Sequence, residues 1–240
     1  MCVCVLSSSM DLIPIALFSG RGFIGPLLAN SNYHVTFADV QEPVLDALNA
    51  NDEYTVHVLD KHSHDEQMHN FSGVKSTSPE VVDIIVHAHI LTTSVGPEIL
   101  KRIAPTIAQA LSKRRKENPA ELTVIACENM MRATSQLKNL VLENLQDHED
   151  LKFVDEMVGF ADCEVDRIVP PYDGKDALGV GVEDFFEWIV EKRSIKGDLG
   201  IEGMGLKDHL EPFLERKVLP IQFPALDLIE PKLQSHSYSH

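Results

Sequence analysis

In the middle of the chain, short apolar runs alternate with segments in which apolar residues recur every three or four positions. This alternation predicts strands followed by helices. Short runs rich in β-branched and aromatic residues predict strands at residues 34–38, 55–59, 90–95 and 122–127. Apolar residues three or four positions apart predict amphipathic helices at residues 43–50, 79–88, 98–115 and 131–145. This alternation predicts an α/β fold with a doubly wound, mostly parallel sheet of the Rossmann-like type.

Other parts of the chain do not follow this alternation. Residues 62–73 are polar and predict a loop or turn. Extended segments are predicted at residues 163–171 and 178–182. Residues 12–18 are the candidate for the first strand, and Pro14 favours a place at a sheet edge because proline lacks the backbone donor.

Composition and charge narrow the class of protein. The chain has 240 residues, of which 44% are hydrophobic and 24% charged, as in ordinary globular proteins. Its formal net charge of −16 argues against nucleic acid or an anionic membrane as a general partner, because both carry the same sign. No apolar run reaches the length that spans a bilayer. The four cysteines have neither CxxC nor zinc-finger spacing, which predicts reduced thiols and a cytoplasmic location.

The segment Gly20–Gly25 predicts the end of a dinucleotide-binding turn. A full fingerprint has three glycines between a strand and a helix, and Gly20 stands at the third of these positions. Ile15 and Leu17 occupy the first two. Asp39 follows about 20 residues later at a predicted strand end, where a carboxylate can accept both ribose hydroxyls and repel a 2′-phosphate. The pair predicts NAD rather than NADP, and a glycine turn with a solvated acid is the alternative.

Polar residues also follow two later strands. The loop at 92–97 has small polar residues and glycine before a helix, and it could line the nicotinamide side of a dinucleotide. Glu128 and Asn129 end the next strand, where they could relay a proton or hold a substrate oxygen. The alternatives are a turn without a ligand and side chains without a catalytic role. Asp166 and Arg167 form a further polar pair, for which a structural ion pair is the default interpretation.

One group of histidine and acidic residues could be combined into a metal site. His62, His64, Asp65, Glu66 and His69 lie close together in the sequence. Because this stretch is polar, solvated side chains are the favoured interpretation, and no metal site is predicted.

Six motifs resemble the polyol-specific long-chain dehydrogenases, and among them the mannitol-1-phosphate 5-dehydrogenases. In sequence order they are Gly20–Gly25, Phe37–Val40, Thr92–Pro97, Ile125–Asn129, Val165–Pro170 and Glu215–Lys217. The resemblance implies NAD-dependent, zinc-independent hydride transfer between D-mannitol 1-phosphate and D-fructose 6-phosphate. A small-molecule polyol phosphate is the implied partner, and an unphosphorylated polyol or a hexonate stays open as the substrate.

The resemblance also implies roles for individual residues. The residues it assigns to the cofactor are Gly20, Arg21, Gly22, Phe23, Ile24, Asp39, Thr93, Val95, Gly96 and Pro97. Those it places at the reacting centre are Glu128, Asn129 and Lys217, with Lys217 as the general base on the substrate hydroxyl. A lysine that titrates near 10.4 in water can serve as a base near neutral pH once burial or positive neighbours lower its pKa.

The two ends of the chain depart from this family pattern. Besides the missing glycines, Gln222 and Ala225 stand where the family has an asparagine and a histidine. The expected organisation is a divergent segment at 1–19, an NAD-binding domain at 20–175, a connecting segment at 176–217 that starts a truncated helical domain, and a divergent tail at 218–240. We expect impaired turnover and self-association through the surface that the missing domain would cover. The alternative is an inactive Rossmann fragment with weak or no NAD binding.

Overall fold

In the part of the chain that the structure describes, the strands form one large parallel sheet and two small sheets. The computed structural model describes residues 2–6, 20–59, 63–170 and 176–210. Its strands are β1 (Cys2–Leu6), β2 (His34–Asp39), β3 (Glu53–Val58), β4 (His64–His69), β5 (Phe71–Lys75), β6 (Ala88–Thr93), β7 (Leu122–Ala126), β8 (Val158–Phe160), β9 (Cys163–Asp166), β10 (Val180–Val182), β11 (Glu187–Glu191) and β12 (Met204–Lys207).

The large sheet has the strand order β5-β2-β1-β6-β7-β8, and every neighbouring pair is parallel. The order runs outwards in both directions from the boundary between β1 and β6. This boundary is the switch point of a doubly wound sheet, where nucleotides bind at the carboxyl ends of the strands. The predicted Rossmann-like fold is therefore confirmed.

Helices connect the parallel strands as crossovers. They are α1 (Gly25–Asn30), α2 (Glu42–Ala50), α3 (Glu80–His87), α4 (Pro97–Glu117), α5 (Ala133–Glu143) and α6 (His148–Met157). A π-helical turn over Gly20–Ile24 leads directly into α1. The long helix α4 forms because its buried residues, among them Leu100, Ile107 and Leu111, recur at helical spacing and face the sheet.

Two hydrophobic cores cover the two faces of the large sheet. Successive side chains of a strand point to opposite faces, so Leu91 of β6 joins one core and its neighbour Ile90 the other. Helices α3 to α6 contribute to the first core. The second core includes residues from α1, α2 and the small sheets, with Trp188 fully buried in it.

The small sheets bring late segments of the chain against early ones. In one of them β3 pairs antiparallel with β4 and parallel with β10. In the other β11 pairs antiparallel with β9 and parallel with β12. Strand β10 comes after residue 175, where the sequence predicts a domain boundary, yet it shares a sheet with β3.

Two predictions of secondary structure are wrong, and one helix was missed. Residues 62–73 contain β4 and part of β5 instead of a loop. The polar composition hid β4 because only Met68 of that strand is buried, and its backbone bonds are supplied by β3. The central strand of the large sheet is β1, not residues 12–18, which lie outside the described residues. Helix α6 was not predicted at all.

The described residues belong to one compact unit that spans Met1–Leu210. Within them, no helix combines the length and the apolar character needed to cross a membrane.

Candidate functional site

A buried carboxylate holds the loop between β6 and α4. Glu128 follows β7, and its Oε1 accepts hydrogen bonds from the Thr93 hydroxyl at 2.8 Å and the Val95 N–H at 3.0 Å. Its Oε2 accepts from the Gly96 N–H at 2.8 Å. The loop and the strand end are joined again where the Cys127 N–H donates to the Thr93 carbonyl at 2.8 Å. Both oxygens of Glu128 therefore serve to fix this loop.

The backbone of the loop is shaped for this contact. Gly96 has φ of +87°, a conformation that L side chains rarely adopt, and it precedes Pro97 at the first turn of α4. The negative charge of Glu128 lies against amides that lead into the N-terminus of α4, where the helix dipole favours an anion. The loop stands at the carboxyl end of β6, on one side of the switch point.

Asp39 lies at the carboxyl end of β2, on the other side of β1. Its Oδ1 accepts hydrogen bonds from the N–H groups of Val40 at 2.6 Å and Gln41 at 3.0 Å. These two bonds fix the orientation of a carboxylate that is itself buried. Because parallel strands end at the same edge of the sheet, Asp39 and the loop held by Glu128 share that edge.

The turn at Gly20–Ile24 is held by residues from the small sheet of β3, β4 and β10 and from the segment that leads into β10. The Tyr54 hydroxyl of β3 donates to the Arg21 carbonyl at 2.7 Å. Nη1 of Arg21 donates to the Leu178 carbonyl at 2.9 Å. Burial lowers the pKa of Arg21, although the nearby groups of Tyr54, Asp39 and Asp176 act in the opposite direction. The guanidinium thus adds a positive charge near the ribose-binding acid predicted from the sequence.

Close packing requires glycine at Gly22 in this turn and at Gly25, the first residue of α1. A Cβ on Gly22 would lie 2.8 Å from Val180 Cγ1 and 2.9 Å from Val182 Cγ1. A Cβ on Gly25 would lie 2.7 Å from the Gly20 carbonyl oxygen and 2.8 Å from the Phe37 ring. The glycines therefore allow the turn to contact both β10 and β2.

Arg167 also contacts the turn, although the sequence favoured an ion pair with Asp166 as its role. Its Nη1 donates to the Gly22 carbonyl at 3.1 Å, and its Nε donates to the Glu183 carbonyl at 3.0 Å. The guanidinium carbon lies 5.7 Å from the Phe23 ring centroid and 5.4 Å from that of Phe186. Burial lowers the pKa of Arg167. Its place in the Val165–Pro170 motif was the signal available in the sequence.

The structure brings together some of the predicted site residues and leaves others apart. Thr93, Val95, Gly96 and Glu128 form one hydrogen-bonded group, and Asp39 lies at the same edge of the sheet. Asn129 follows Glu128 and is exposed. Phe23 and Ile24 are buried in the second core rather than open to solvent. Lys217, the predicted base, lies outside the described residues, as do Ile15, Leu17, Gln222 and Ala225.

Two histidines of the β3–β4 hairpin, one on each strand, lie close to carboxylates of the opposite strand. His57 Nδ1 lies 2.7 Å from Asp65 Oδ1, and His69 Nδ1 lies 3.7 Å from Glu53 Oε2. Across the part of the chain that the structure describes, no group of three or more His, Cys, Asp or Glu side chains could hold a metal ion. His62 is not among the described residues.

The sequence matches the family model described as the mannitol dehydrogenase Rossmann domain over residues 19–203. The chain belongs to this family. The match contains the glycine turn, Asp39, the loop after β6 and Glu128, and it continues through β9 to β11. Membership thus covers every part of the site that the structure describes.

Solved structures of dehydrogenases have the same fold. Pseudomonas fluorescens mannitol 2-dehydrogenase, in a ternary complex with NAD and D-mannitol, superposes with a TM-score of 0.68 at 14% identity, over 85% of this chain and 53% of that one. D-sorbitol dehydrogenase in its substrate-free form gives 0.67 at 16% identity, over 85% and 54%. An octopine dehydrogenase complex with NADH and L-arginine gives 0.52 at 13% identity, over 86% and 48%. The chain spans about half the length of these structures.

Proposed function

We propose that this chain is the NAD-binding part of a polyol dehydrogenase that interconverts a secondary alcohol and a ketone. One observation carries the proposal: Asp39 and the loop held by Glu128 lie at the carboxyl ends of β2 and β6, on either side of the switch point. Dinucleotides bind at this place in doubly wound sheets. Membership of the mannitol dehydrogenase family supports a polyol as the substrate class.

Asp39 is the residue proposed to bind the adenosine ribose. Its carboxylate is oriented by two backbone amides, and it can accept hydrogen bonds from both hydroxyls of a ribose. The same charge repels a 2′-phosphate, so we propose that the chain selects NAD over NADP. Arg21 reduces the electrostatic cost of this buried carboxylate while its own guanidinium donates to Leu178.

The loop from Thr93 to Pro97 is proposed to lie beside the nicotinamide, and Glu128 to act as a positioning residue for it. Since the carboxylate of Glu128 already accepts hydrogen bonds from three donors of the loop, its role is to hold the loop rather than to remove a proton from substrate. Asn129 is exposed beside it and has both a donor and an acceptor for a substrate oxygen. NAD, when bound, supplies the hydride acceptor.

The phosphorylated substrate and the base are further parts of the proposal. The resemblance of the six motifs supports D-mannitol 1-phosphate and D-fructose 6-phosphate as the substrate pair. It also supports Lys217 as the group that takes the hydroxyl proton as the hydride leaves carbon. A cytoplasmic location stays a prediction.

Titration of the purified chain with NADH and with NADPH tests the proposal. Trp188 is the single tryptophan and is buried in the core, so energy transfer from its emission to the reduced nicotinamide reports binding. We expect saturable NADH binding and at least tenfold weaker NADPH binding. Turnover is then followed by NADH absorbance with fructose 6-phosphate in one arm and fructose in the other.

The outcomes separate the parts of the proposal. Saturable NADH binding with reduction of fructose alone would retain the polyol dehydrogenase and refute the phosphate. Binding without turnover of either sugar would limit the chain to a cofactor-binding role. A folded chain that does not bind NADH at millimolar concentration would establish the inactive Rossmann fragment instead.

A further inference from the structure

Two thiols lie close together beside the candidate site, and the proposed function gives neither of them a role. Cys127 follows β7 directly before Glu128, and Cys163 begins β9. Their Sγ atoms are 4.0 Å apart, and both cysteines are free thiols. They are separated by 36 positions in the sequence, so their proximity is a product of the fold.

The backbone on both sides of this pair is anchored. The Cys127 N–H is bonded to the Thr93 carbonyl at 2.8 Å, and the Ala161 N–H is bonded to the Val124 carbonyl at 3.0 Å. Cys163 pairs with Val190 in the β9–β11 ladder. A disulfide needs sulfur atoms about 2.05 Å apart, so the present separation has to fall by about 2 Å. Rotation of the two side chains and a small backbone shift would have to supply this movement.

We propose that Cys127 and Cys163 form a reversible disulfide when the protein is exposed to a peroxide. The peroxide first oxidises the Cys163 thiol to a sulfenic acid, and one water leaves. The Cys127 sulfur then attacks the Cys163 sulfur, its proton passes to the departing hydroxide, and a second water leaves. Two thiols are oxidised by two electrons in total, and one peroxide is reduced to two waters.

The surroundings of the two sulfurs decide the order of these steps. Cys163 is half-buried, so a small peroxide can reach it, whereas Cys127 is buried. Burial raises the pKa of the Cys127 thiol, and Cys163 and Glu128 beside it act in the same direction. Since the thiolate is the reactive form, Cys127 is the poorer site for first attack by the oxidant. It is placed to resolve the sulfenic acid on its neighbour.

Peptide mapping of the full chain after treatment with hydrogen peroxide tests the proposal. Trypsin cleaves at Arg132 and Lys152, so the two cysteines fall on separate peptides unless a disulfide joins them. We expect the joined pair of peptides in more than half of the molecules, with a mass loss of about 2 Da that dithiothreitol reverses. The band on a non-reducing gel should stay at the monomer position.

Two serine variants are the matched controls. Cys163→Ser should abolish the joined peptides, and Cys127→Ser should leave a sulfenic acid at Cys163 that dimedone labels. The wild-type mapping needs no variant to fold, so it decides the question by itself. The proposal is overturned if the two peptides stay separate while the thiols become sulfinic acids. It is equally overturned if Cys127 or Cys163 pairs mainly with Cys2, with Cys4 or with a second chain.

Discussion

The carboxylate of Glu128 accepts a 2.8 Å hydrogen bond from the Gly96 N–H, and this bond crosses from the end of β7 to the start of α4. Gly96 is the residue whose positive φ turns the chain into the helix. Glu128, predicted at the reacting centre, and Gly96, predicted to bind the cofactor, are thus parts of one hydrogen-bonded unit. Removing either should change the shape of the loop.

Replacement of Glu128 should therefore lower the stability of the fold. Glu128→Ala leaves the Thr93 hydroxyl and the Val95 and Gly96 amides without their acceptor, and an unsatisfied buried donor costs about 1–3 kcal/mol. We expect the free energy of unfolding to fall by about 2–5 kcal/mol in urea titrations. NADH binding should weaken at the same time.

The matched control for Glu128 is Thr93→Val, which removes one donor and keeps the volume of the side chain. Its expected cost is about 1 kcal/mol, since the carboxylate keeps both amide donors. A Glu128→Ala protein as stable as the wild type, with unchanged NADH affinity, would show that the carboxylate does not hold the loop.

Asp39 should decide both affinity and choice of cofactor. Loss of a charge-assisted hydrogen bond in Asp39→Ala should weaken NADH binding about tenfold to a hundredfold, as measured by titration calorimetry. Asp39→Asn keeps an oxygen for the Val40 and Gln41 amides but removes the charge. It should remain folded and narrow the difference between NADH and NADPH. Equal NADH affinity in all three proteins would remove Asp39 from the cofactor site.

Gly22 should not tolerate even one methyl group. In Gly22→Ala the new Cβ meets Val180 and Val182 at less than 3.0 Å, and overpacking of this kind costs about 1–3 kcal/mol. The double variant Gly22→Ala with Val180→Ala should cost less than the sum of the single changes, because the two sites share one contact. The control is Gly205→Ala on β12, whose Cβ would find its nearest neighbours at 3.5 Å, and we expect little change in its melting temperature.

Asp150 should make the contact between α6 and α4 sensitive to acid. Burial raises the pKa of Asp150, but hydrogen bonds from Ser112 and Arg115 and the charges of Arg115 and Lys116 outweigh it and hold the pKa below its ordinary value. A lowered pKa in the folded state stabilises the protein at any pH above the unfolded value of about 3.9. That stabilisation is lost as the pH falls through the folded value.

Asp150→Asn is the variant that measures this effect. At pH 7 it should be less stable than the wild type by about 1–3 kcal/mol in urea, because charge-assisted hydrogen bonds are weakened. The difference between the two proteins should shrink as the pH falls from 5 to 3. A difference that stays constant over this range would contradict the assignment.

The sequence predicted β2, β6 and β7 of the large sheet and the helices beside them, because buried strands and long amphipathic helices carry strong periodic signals, but it missed β1, β5 and β8. Strand β7 is buried at every position, and α4 repeats its apolar residues over 21 residues. Strand β4 was missed because it has one buried residue and depends on β3 for its backbone partners. Local patterns of polarity cannot reveal a strand that is defined by its neighbour.

The sequence motifs indicated where the candidate site lies but not which hydrogen bonds hold it together. The predicted strand ends placed Asp39 and the loop after β6 at one edge of the sheet, and the structure has both there. The sequence could not show that both carboxylate oxygens of Glu128 accept hydrogen bonds from that loop, because these bonds join residues 32 to 35 positions apart. The same reason hid the bond between Arg167 and Gly22, which spans 145 positions.

These long separations in sequence also determine when each part of the site can fold during synthesis. The turn that follows Gly20 needs Arg167 and Leu178 as hydrogen-bond partners, and Leu178 comes 157 positions after Arg21. At about 5–20 residues per second, a ribosome takes on the order of ten seconds to cover that distance. During this interval the turn has Tyr54 as a partner but lacks Arg167 and Leu178. We therefore expect cofactor to stabilise this turn only after residue 178 has been synthesised.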